Sequence, residues 1–514
     1  MNLKTSEPRL GAKDGLPPPF AADFKNNESR FIDLIRSRLG ITIHSHQSKE
    51  LQKTILKGCA KFSCSPTEYL QMLTACPPDS PLLEHLVTGV TIGETYFFRD
   101  KNQMQMLQQN VLPKIIARKR QQHDLSLRIW SAGCASGEEV YTLAMMLTAL
   151  LPDLNAWAIH LLGTDINTQS LQKALVGRYK EWSMRAISAD YKNRYFAKID
   201  DEYEIMPQLK NGVSFFYLNL NDDAYPSITN GTNAQDLILC RNVLIYFDSQ
   251  RVATLMKKFS LSLVAEGYLL LGASDPVNLN DTGLHFNYHQ SSLFSRSTTI
   301  APPAALEEPS VTQARPAPPV KKARMLTAAP RVDRSAEKPK QAKLDEQRIQ
   351  QLLTSAKWQE ILDQTSLNDN HSAVLLNAKA TALANLGKLQ QAVQFCESSL
   401  ALDKANKATH FLHAMILLEL NKIEAAEAAL RKTIFLDHAF VFAHFQLGLL
   451  LFRNKKIEAG AKCLKNALTI AKKQQPEEAV TGVYGLHYGR LVEILEHELE
   501  LNSKLGSDFH ETQK

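Results

Sequence analysis

A 34-residue echo in the last third of the chain constrains the fold most. Lys388, Lys422 and Lys456 stand 34 residues apart, within Gly387-Lys388-Leu389-Gln390-Gln391-Ala392, Asn421-Lys422-Ile423-Glu424-Ala425-Ala426 and Lys455-Lys456-Ile457-Glu458-Ala459-Gly460. The same offset relates Ala380, Ala414 and Gly448, then Leu400, Ile434 and Leu468, and also Asp403 and Asp437. A unit of this length accommodates two short helices, with small residues where they cross. One unit cannot bury its apolar face alone, so the copies are expected to stack into a superhelix with a concave groove. Segments around Leu352 and Trp358 read as a degenerate copy and 477–500 as a capping helix, giving a repeat domain over 344–505.

The stretch before the repeats has a different composition. Ser295 to Lys357 contains no aromatic residue, and Pro302, Pro303, Pro309, Pro316, Pro318, Pro319, Pro330 and Pro339 punctuate it. Such a segment cannot bury enough apolar surface to offset chain entropy, so 297–343 reads as an extended Pro/Ala-rich linker. Between Ala301 and Ala342 eight Lys and Arg stand against four Asp and Glu, which leaves a basic surface-binding arm as the other reading. The rest of the chain is nearly balanced within an overall charge of +6, and that distribution gives little support to nucleic-acid binding. With 44% hydrophobic and 22% charged residues the chain is not disordered throughout. The longest apolar run, Phe440 to Phe452, is broken by His444 and Gln446 and falls short of the ~20 residues of a membrane span. The N-terminal residues carry Lys4, Arg9, Lys13 and Pro17-Pro18-Pro19 without an apolar core. A cytoplasmic protein without membrane insertion is expected, beginning with a flexible tail over 1–26. Seven cysteines are scattered with no C-x-x-C pair, so neither a disulfide framework nor a metal site is expected.

Two further regions follow from periodicity. In 27–120, Phe31, Leu34, Ile35 and Leu39, then Leu51, Ile55 and Leu56, recur at helical spacing, predicting a small helical domain. In 121–296, apolar runs at Leu127–Trp130, Ile159–Leu162, Leu237–Cys240 and Tyr268–Leu271 alternate with amphipathic segments. That alternation predicts a parallel sheet covered by helices.

The chemistry concentrates at Leu127-Arg-Ile-Trp-Ser-Ala-Gly-Cys-Ala-Ser-Gly-Glu-Glu139, a strand passing through Gly133 and Gly137 into a helix. Glycines there permit close approach of a ligand, and the helix start offers N–H groups. Glu139 has two readings: a ligand-facing acid, or the partner of Ser136 in a capping box. Asp165 ends the next apolar run, where an acid is placed to bind ribose hydroxyls. Loop and acid together suggest a cofactor bearing a nucleoside.

Three more motifs complete a pattern: Thr91-Ile-Gly-Glu-Thr-Tyr-Phe-Phe-Arg-Asp100, Phe216-Tyr-Leu-Asn-Leu220, and Asp236-Leu-Ile-Leu-Cys-Arg-Asn-Val-Leu-Ile-Tyr-Phe-Asp248. In this order, over residues 28–295, the chain closely resembles the CheR-type chemotaxis receptor methyltransferases, and its repeats resemble the tetratricopeptide repeat family. The resemblance implies a multidomain protein: a small all-α N-terminal domain, a doubly wound α/β methyltransferase domain with a small β-subdomain at about 196–217, the linker, and an all-α repeat solenoid. It implies S-adenosyl-L-methionine as methyl donor, leaving S-adenosyl-L-homocysteine, and glutamate side chains of a methyl-accepting chemoreceptor-type protein as acceptor. It further implies that Thr95 and Arg99 meet the methionine end of the cofactor, Glu139 its amino group and Asp165 its ribose. Asn219, Leu220, Asn242 and Val243 would line the adenosine and donor-methyl region, with Arg99 and Tyr246 holding the acceptor carboxylate. Lys49, Lys53 and Lys57, continued by Lys61, would form a basic helix face toward the acidic methylation region; an ordinary solvated face is the other reading. An unidentified protein or peptide would occupy the repeat groove.

Phe97 and Phe98 read as packing between the two domains. The chain departs from the resemblance at Gly93, where many relatives have Asn, so a cofactor contact is missing there or is supplied by Glu94 or the backbone. It departs again at Gly272-Ala-Ser-Asp275, where many relatives have Gly-His-Ser-Glu. The short segment Lys198–Leu209 lacks the glycine-rich loop with which some relatives grip a receptor tail, so no tight peptide tethering is expected through it. Two rival functions follow: a catalytically weak cofactor-binding scaffold working through its repeats, and a methyltransferase acting on RNA or a small molecule. Retention of Arg99, Glu139, Asp165 and Tyr246 disfavours the first, and the charge balance disfavours the second.

Overall fold

The computed structural model describes residues 18–296 and 347–499, apart from 78–79, 223–224, 289–292, 354–356, 367–371, 421, 455, 477, 479, 482–486, 490 and 497. The expected linker over 297–343 lies outside the described residues, as do residues 1–17 of the expected tail.

Four helices open the described chain: α1 (Pro18–Leu39), α2 (Ser48–Phe62), α3 (Pro66–Ala75) and α4 (Pro81–Val90). The helical periodicity read from the sequence becomes their core, with Phe31, Ile35, Leu39, Leu51, Ile55, Tyr69 and Leu86 buried together. The first helix begins at Pro18, inside the stretch read as tail. Proline suits a first helical turn, and Phe24 and Asn27 anchor the start by burial. Asn27 Nδ2 also donates to Thr67 Oγ1 at 3.0 Å. A capping box starts α3, with Ser65 accepting from the Glu68 amide and Glu68 reaching back.

Helices α5 (Lys101–Met106) and α6 (Leu112–Gln121) lead into the sheet. Its strands are β1 (Ser126–Ala132), β2 (Ala158–Asp165), β6 (Val213–Tyr217), β7 (Gln235–Cys240), β8 (Leu263–Leu271), β9 (Leu284–Tyr288) and β10 (Leu293–Arg296); β3 (Arg178–Lys180), β4 (Phe196–Ile199) and β5 (Glu202–Ile205) stand apart. The order of the large sheet is β6-β2-β1-β7-β8-β10-β9. Its first five strands are parallel, and β10 runs antiparallel to both β8 and β9. Side chains alternate across it: Leu127 and Ile129 enter one apolar layer, Trp130 and Ala132 the other, as period-2 geometry requires. Helices α7 (Glu138–Leu150), α8 (Thr168–Val176), α9 (Ala189–Tyr195) and α10 (Ser249–Ser262) complete the domain.

The small sheet has the order β3-β5-β4, which corrects the range of 196–217. It recruits Arg178–Lys180 from upstream, while Val213–Tyr217 pairs parallel with β2 in the large sheet. Its β4–β5 hairpin turns through Asp200 and Asp201 alone, and the extended glycine-rich loop missing from the sequence is missing here too. Phe97 is also corrected. Its ring meets Tyr179 at 4.9 Å and Phe196 at 5.0 Å, edge-on, so it joins the small sheet to the methyltransferase core. Phe98 meets Tyr191 at 5.1 Å in the same layer.

The repeats form three antiparallel helix pairs: Ala373–Asn385 with Leu389–Leu402, Lys407–Glu419 with Ile423–Leu436, and Val441–Arg453 with Ile457–Ala471. Ala380 and Ala414 are fully buried, and a Cβ on Gly448 would come within 2.5 Å of Leu464, so the small positions are where the helices cross. Trp358 and Leu352 join the same core upstream, and Leu491, Ile494 and Leu495 close it downstream.

This solenoid docks on the methyltransferase domain. Trp358 Nε1 donates to the Pro226 carbonyl at 3.0 Å, and the Ile228 amide donates to Asn385 Oδ1 at 2.7 Å. The Ile228 side chain is buried in the repeat core. Arg128, near the start of β1, forms a nearly buried ion pair with Glu419. These contacts fall where β1 and β7 begin, at the end of the sheet opposite the cleft described next.

Candidate cofactor and acceptor site

In an open α/β sheet the ligand crevice lies at the carboxyl ends of the strands where the winding reverses, here between β1 and β7. A cleft of about 220 Å³ lies there. Its floor is Gly133–Ala135 after β1, Asp165–Asn167 after β2, Leu218–Leu220 after β6 and Arg241–Val243 after β7. Its roof is Leu39 and Ile41 from the helical domain with Val90–Tyr96, Phe98 and Arg99. Ile41 bridges Phe247, the Thr42 amide donates to the Tyr246 carbonyl at 2.8 Å, and Asn219 Nδ2 donates to the Arg38 carbonyl at 2.9 Å. The helical domain is thereby fastened over the crevice.

The loop after β1 is shaped for close approach. Gly133 has φ +78°, and a Cβ there would lie 2.5 Å from Val243. Ala135 and Asn242 also hold positive φ, as do Phe98 and Asp100 on the roof side. Non-glycine residues persist in that region when the surroundings over-determine them, and they gather at ligand sites.

Asp165 accepts from the Ala135 and Asn167 amides, both at 2.8 Å. Burial pushes its carboxyl above the usual aspartate range, and those backbone N–H groups pull it partly back. Glu139 accepts from Ser131 Oγ at 2.6 Å and from Arg241 Nη1 at 2.9 Å. The capping-box reading of Glu139 is therefore corrected. Gly137, at φ +88°, is the N-cap of α7, and Ser136 Oγ donates to Glu138 instead. A glycine cap turns the chain so that Glu139 faces the cleft side.

The sequence-predicted residues divide clearly. Gly93, Thr95, Arg99, Glu139, Asp165, Asn219, Leu220, Asn242, Val243 and Tyr246 all line this cleft. The Asn219 amide is committed to Arg38 and, at 3.1 Å, to Asp222. Lys49, Lys53 and Lys57 are exposed along α2 and do not line it. A Cβ on Gly93 would meet only Ser170 Oγ, at 3.6 Å, so the chain leaves space there, while Glu94 points its carboxylate to Arg185 at 3.5 Å. Arg99 Nη1 donates to the Glu94 carbonyl at 2.5 Å. Burial raises the Tyr246 phenol above its ordinary value and the nearby Arg99 charge opposes that rise, so the phenol is neutral at pH 7.

Two residues that position the site had no assigned role in the sequence reading. Arg241 donates to Gln103 Oε1 and the Arg99 carbonyl, both at 2.7 Å, besides Glu139, so one buried guanidinium ties roof to floor. Asp275 accepts from the amides of Asn242 at 2.6 Å, Gly272 at 2.8 Å and Ile245 at 3.3 Å. The departure at 272–275 thus holds the loop after β7, while Ala273 is exposed outside the lining. Among the described residues no group of three or more His, Cys, Asp or Glu is arranged to hold a metal ion, and no helix is long and apolar enough to cross a membrane.

The parallel sheet, the glycine loop and a backbone-held acid at the second strand end define a doubly wound domain of the class that binds a nucleoside-bearing cofactor. The family profile "CheR methyltransferase, SAM binding domain" matches residues 93–292, and a tetratricopeptide repeat profile matches 373–406. A chemotaxis protein methyltransferase of Borreliella burgdorferi is 32% identical over 263 residues, covering 50% of this chain and 90% of the relative. Chemotaxis protein methyltransferase 1 of Pseudomonas aeruginosa is 36% identical over 203 residues, covering 38% and 71%. Among solved structures, MamA from Desulfovibrio magneticus is 19% identical with a TM-score of 0.26, covering 34% of this chain and 93% of that one. The chain belongs to the CheR family of chemotaxis protein methyltransferases, with S-adenosylmethionine as cofactor and tetratricopeptide repeats appended.

The donor set fits that cofactor. Asp165 is a carboxylate fixed by backbone amides at a strand end, suited to a vicinal diol. Glu139 adds an anionic group for an ammonium, and Arg99 a cation for a carboxylate, along one continuous cleft.

Proposed function

We propose that this protein esterifies glutamate side chains of a chemoreceptor-type protein. The observation that carries the reading is the pairing of Arg99 with Tyr246 on one cleft, a cation beside a neutral phenol. Both groups suit an anionic acceptor, and neither suits abstraction of a proton from it. The chemistry that bound S-adenosylmethionine supplies is a methyl group on a sulfonium, already activated. Asp165 would hold the ribose hydroxyls, Glu139 the amino group, and Thr95 and Arg99 the methionine carboxylate end. Leu220 and Val243 line the cleft as apolar walls beside Asn219 and Asn242.

A glutamate carboxylate is ionised at pH 7, so no general base is needed. Arg99 orients it through charge-assisted hydrogen bonds, and Tyr246 donates from its phenol. Neither contact can be too strong, because only stabilisation greater in the transition state raises the rate. Leu39, Ile41 and Val90–Tyr96 cover the cleft from the side of the helical domain. The exposed lysines 49, 53 and 57 are read as a steering face for an acidic receptor segment, and the repeats as a docking module for a partner protein.

The test is Arg99→Ala, assayed with a purified chemoreceptor cytoplasmic fragment. Methyl transfer falls by about a hundredfold or more, an effect typical of losing one positioned charge in a site, while thermal unfolding is unchanged. Near-normal transfer would remove Arg99 from the chemistry.

A further inference from the structure

One large aromatic near the cleft stands mostly in solvent. Trp182, in the strap between β3 and α9, is 68% exposed. It nevertheless belongs to an ordered stack. The Arg185 guanidinium lies over the Tyr96 ring at 3.6 Å and over the Trp182 ring at 4.2 Å. Arg185 Nη1 donates to the Trp182 carbonyl at 2.7 Å, and its Nη2 approaches Glu94 Oε1 at 3.5 Å. The strap itself is pinned to the roof, because the Phe97 amide donates to the Ser183 carbonyl at 3.1 Å. Tyr96 is a wall of the cleft, so the stack carries the cleft surface outward from the acceptor position.

Two more exposed apolar side chains, Ile92 and Ile245, line the same cleft. The opening is therefore rimmed by apolar groups interleaved with Arg99 and with Glu94, whose charge Arg185 meets at 3.5 Å. Fixed tryptophan, tyrosine and arginine are the residues that dominate protein-binding surfaces, since they bury much area at little entropic cost. Sharing one guanidinium between them, the Tyr96 and Trp182 rings lie no more than about 8 Å apart, less than the ~11 Å of two helical turns.

Resting on the protein-glutamate reading above, we propose that Trp182 seats the substrate segment that delivers the acceptor glutamate. That segment is an amphipathic acidic helix: one glutamate enters toward Arg99 and Tyr246, and an apolar residue one or two turns away packs on Trp182. Charge complementarity with Arg99 and the exposed lysines of α2 selects the acidic partner, and the apolar rim selects the helix face.

The full-length protein is assayed with a chemoreceptor cytoplasmic fragment, following KM, kcat and S-adenosylhomocysteine affinity. Trp182→Ala raises KM for the fragment by about tenfold or more, leaves kcat within about twofold, and leaves cofactor affinity unchanged. Trp182→Phe restores most of the loss. A wild-type KM in Trp182→Ala overturns the seat and leaves the esterification reading intact. Loss of cofactor affinity at unchanged KM also overturns it, by assigning Trp182 a structural role. Absence of any methyl ester with the wild type overturns both.

Discussion

Arg241 shows how much of the site hangs on one side chain. It is 8% exposed and joins Glu139, Gln103 and the Arg99 carbonyl. Arg241→Ala would strand the Glu139 carboxylate in a largely enclosed position, and breaking a buried pair in this way costs about 3–5 kcal/mol. Thermal unfolding and calorimetry with S-adenosylhomocysteine are expected to fall together, and Arg241→Lys should rescue little because its point charge cannot reach three acceptors. Unchanged stability would deny the residue this role. Asp165 sets a pH dependence. Its pKa is raised, mainly by burial, so protonation begins above the ordinary aspartate range. Cofactor affinity therefore falls as pH drops through that raised value, and a flat profile would remove Asp165 from the contact. The sign for stability is opposite: the folded state binds the proton more tightly, so the contribution is present at low pH and lost as pH rises through the folded pKa. Asp165 was legible in the sequence because it ends an apolar run. Arg241 was not, because its partners lie 102, 138 and 142 residues away, and only the strand order brings them together.

At the scale of elements, local pattern and topology contributed differently. Short apolar runs at Leu127–Trp130 and Tyr268–Leu271 marked β1 and β8, and helical spacing marked the core of α1 and α2. The three residues of β3 carry no period to detect, so the small sheet was placed too late in the chain. The capping box at Ser136–Glu139 matched by pattern yet gave way to Gly137, whose left-handed backbone caps the helix one residue later than a Ser136 cap would. Asp275 is the element-scale test. Asp275→Ala leaves the Gly272, Asn242 and Ile245 amides without their acceptor, and each unsatisfied buried donor costs about 1–3 kcal/mol. The loop carrying Asn242 and Tyr246 loosens, so cofactor affinity should fall about tenfold or more, since 1.4 kcal/mol is a factor of ten; intact affinity would contradict this. On α2, reversing Lys49, Lys53 and Lys57 to Glu should raise KM for a receptor fragment chiefly at low ionic strength, because exposed charges are screened over about 8–10 Å. A salt-independent KM would leave the lysines as a solvated face.

Across the whole molecule, the 34-residue period predicted the solenoid, and nothing in it predicted where the solenoid sits. Asn385 and Glu419 are themselves 34 residues apart, at the ends of equivalent helices, and both grip the methyltransferase domain, through Ile228 and Arg128. The repeats thus dock at the strand-start end of the sheet, with a further contact on α8, where Gln172 Nε2 donates to Glu493 at 3.4 Å. Glu419→Ala should cost about 3 kcal/mol by stranding Arg128 and speed hydrogen exchange across residues 225–231; unchanged exchange would mean the docking does not depend on this pair. The central claim, that the cleft esterifies glutamate on a chemoreceptor-type protein, is tested most directly by transfer of radiolabelled methyl from S-adenosylmethionine to a purified chemoreceptor fragment. The account predicts label that mild alkali releases as methanol and that disappears when the acceptor glutamates are replaced by alanine. Alkali-stable label, or none in the presence of bound cofactor, would contradict it.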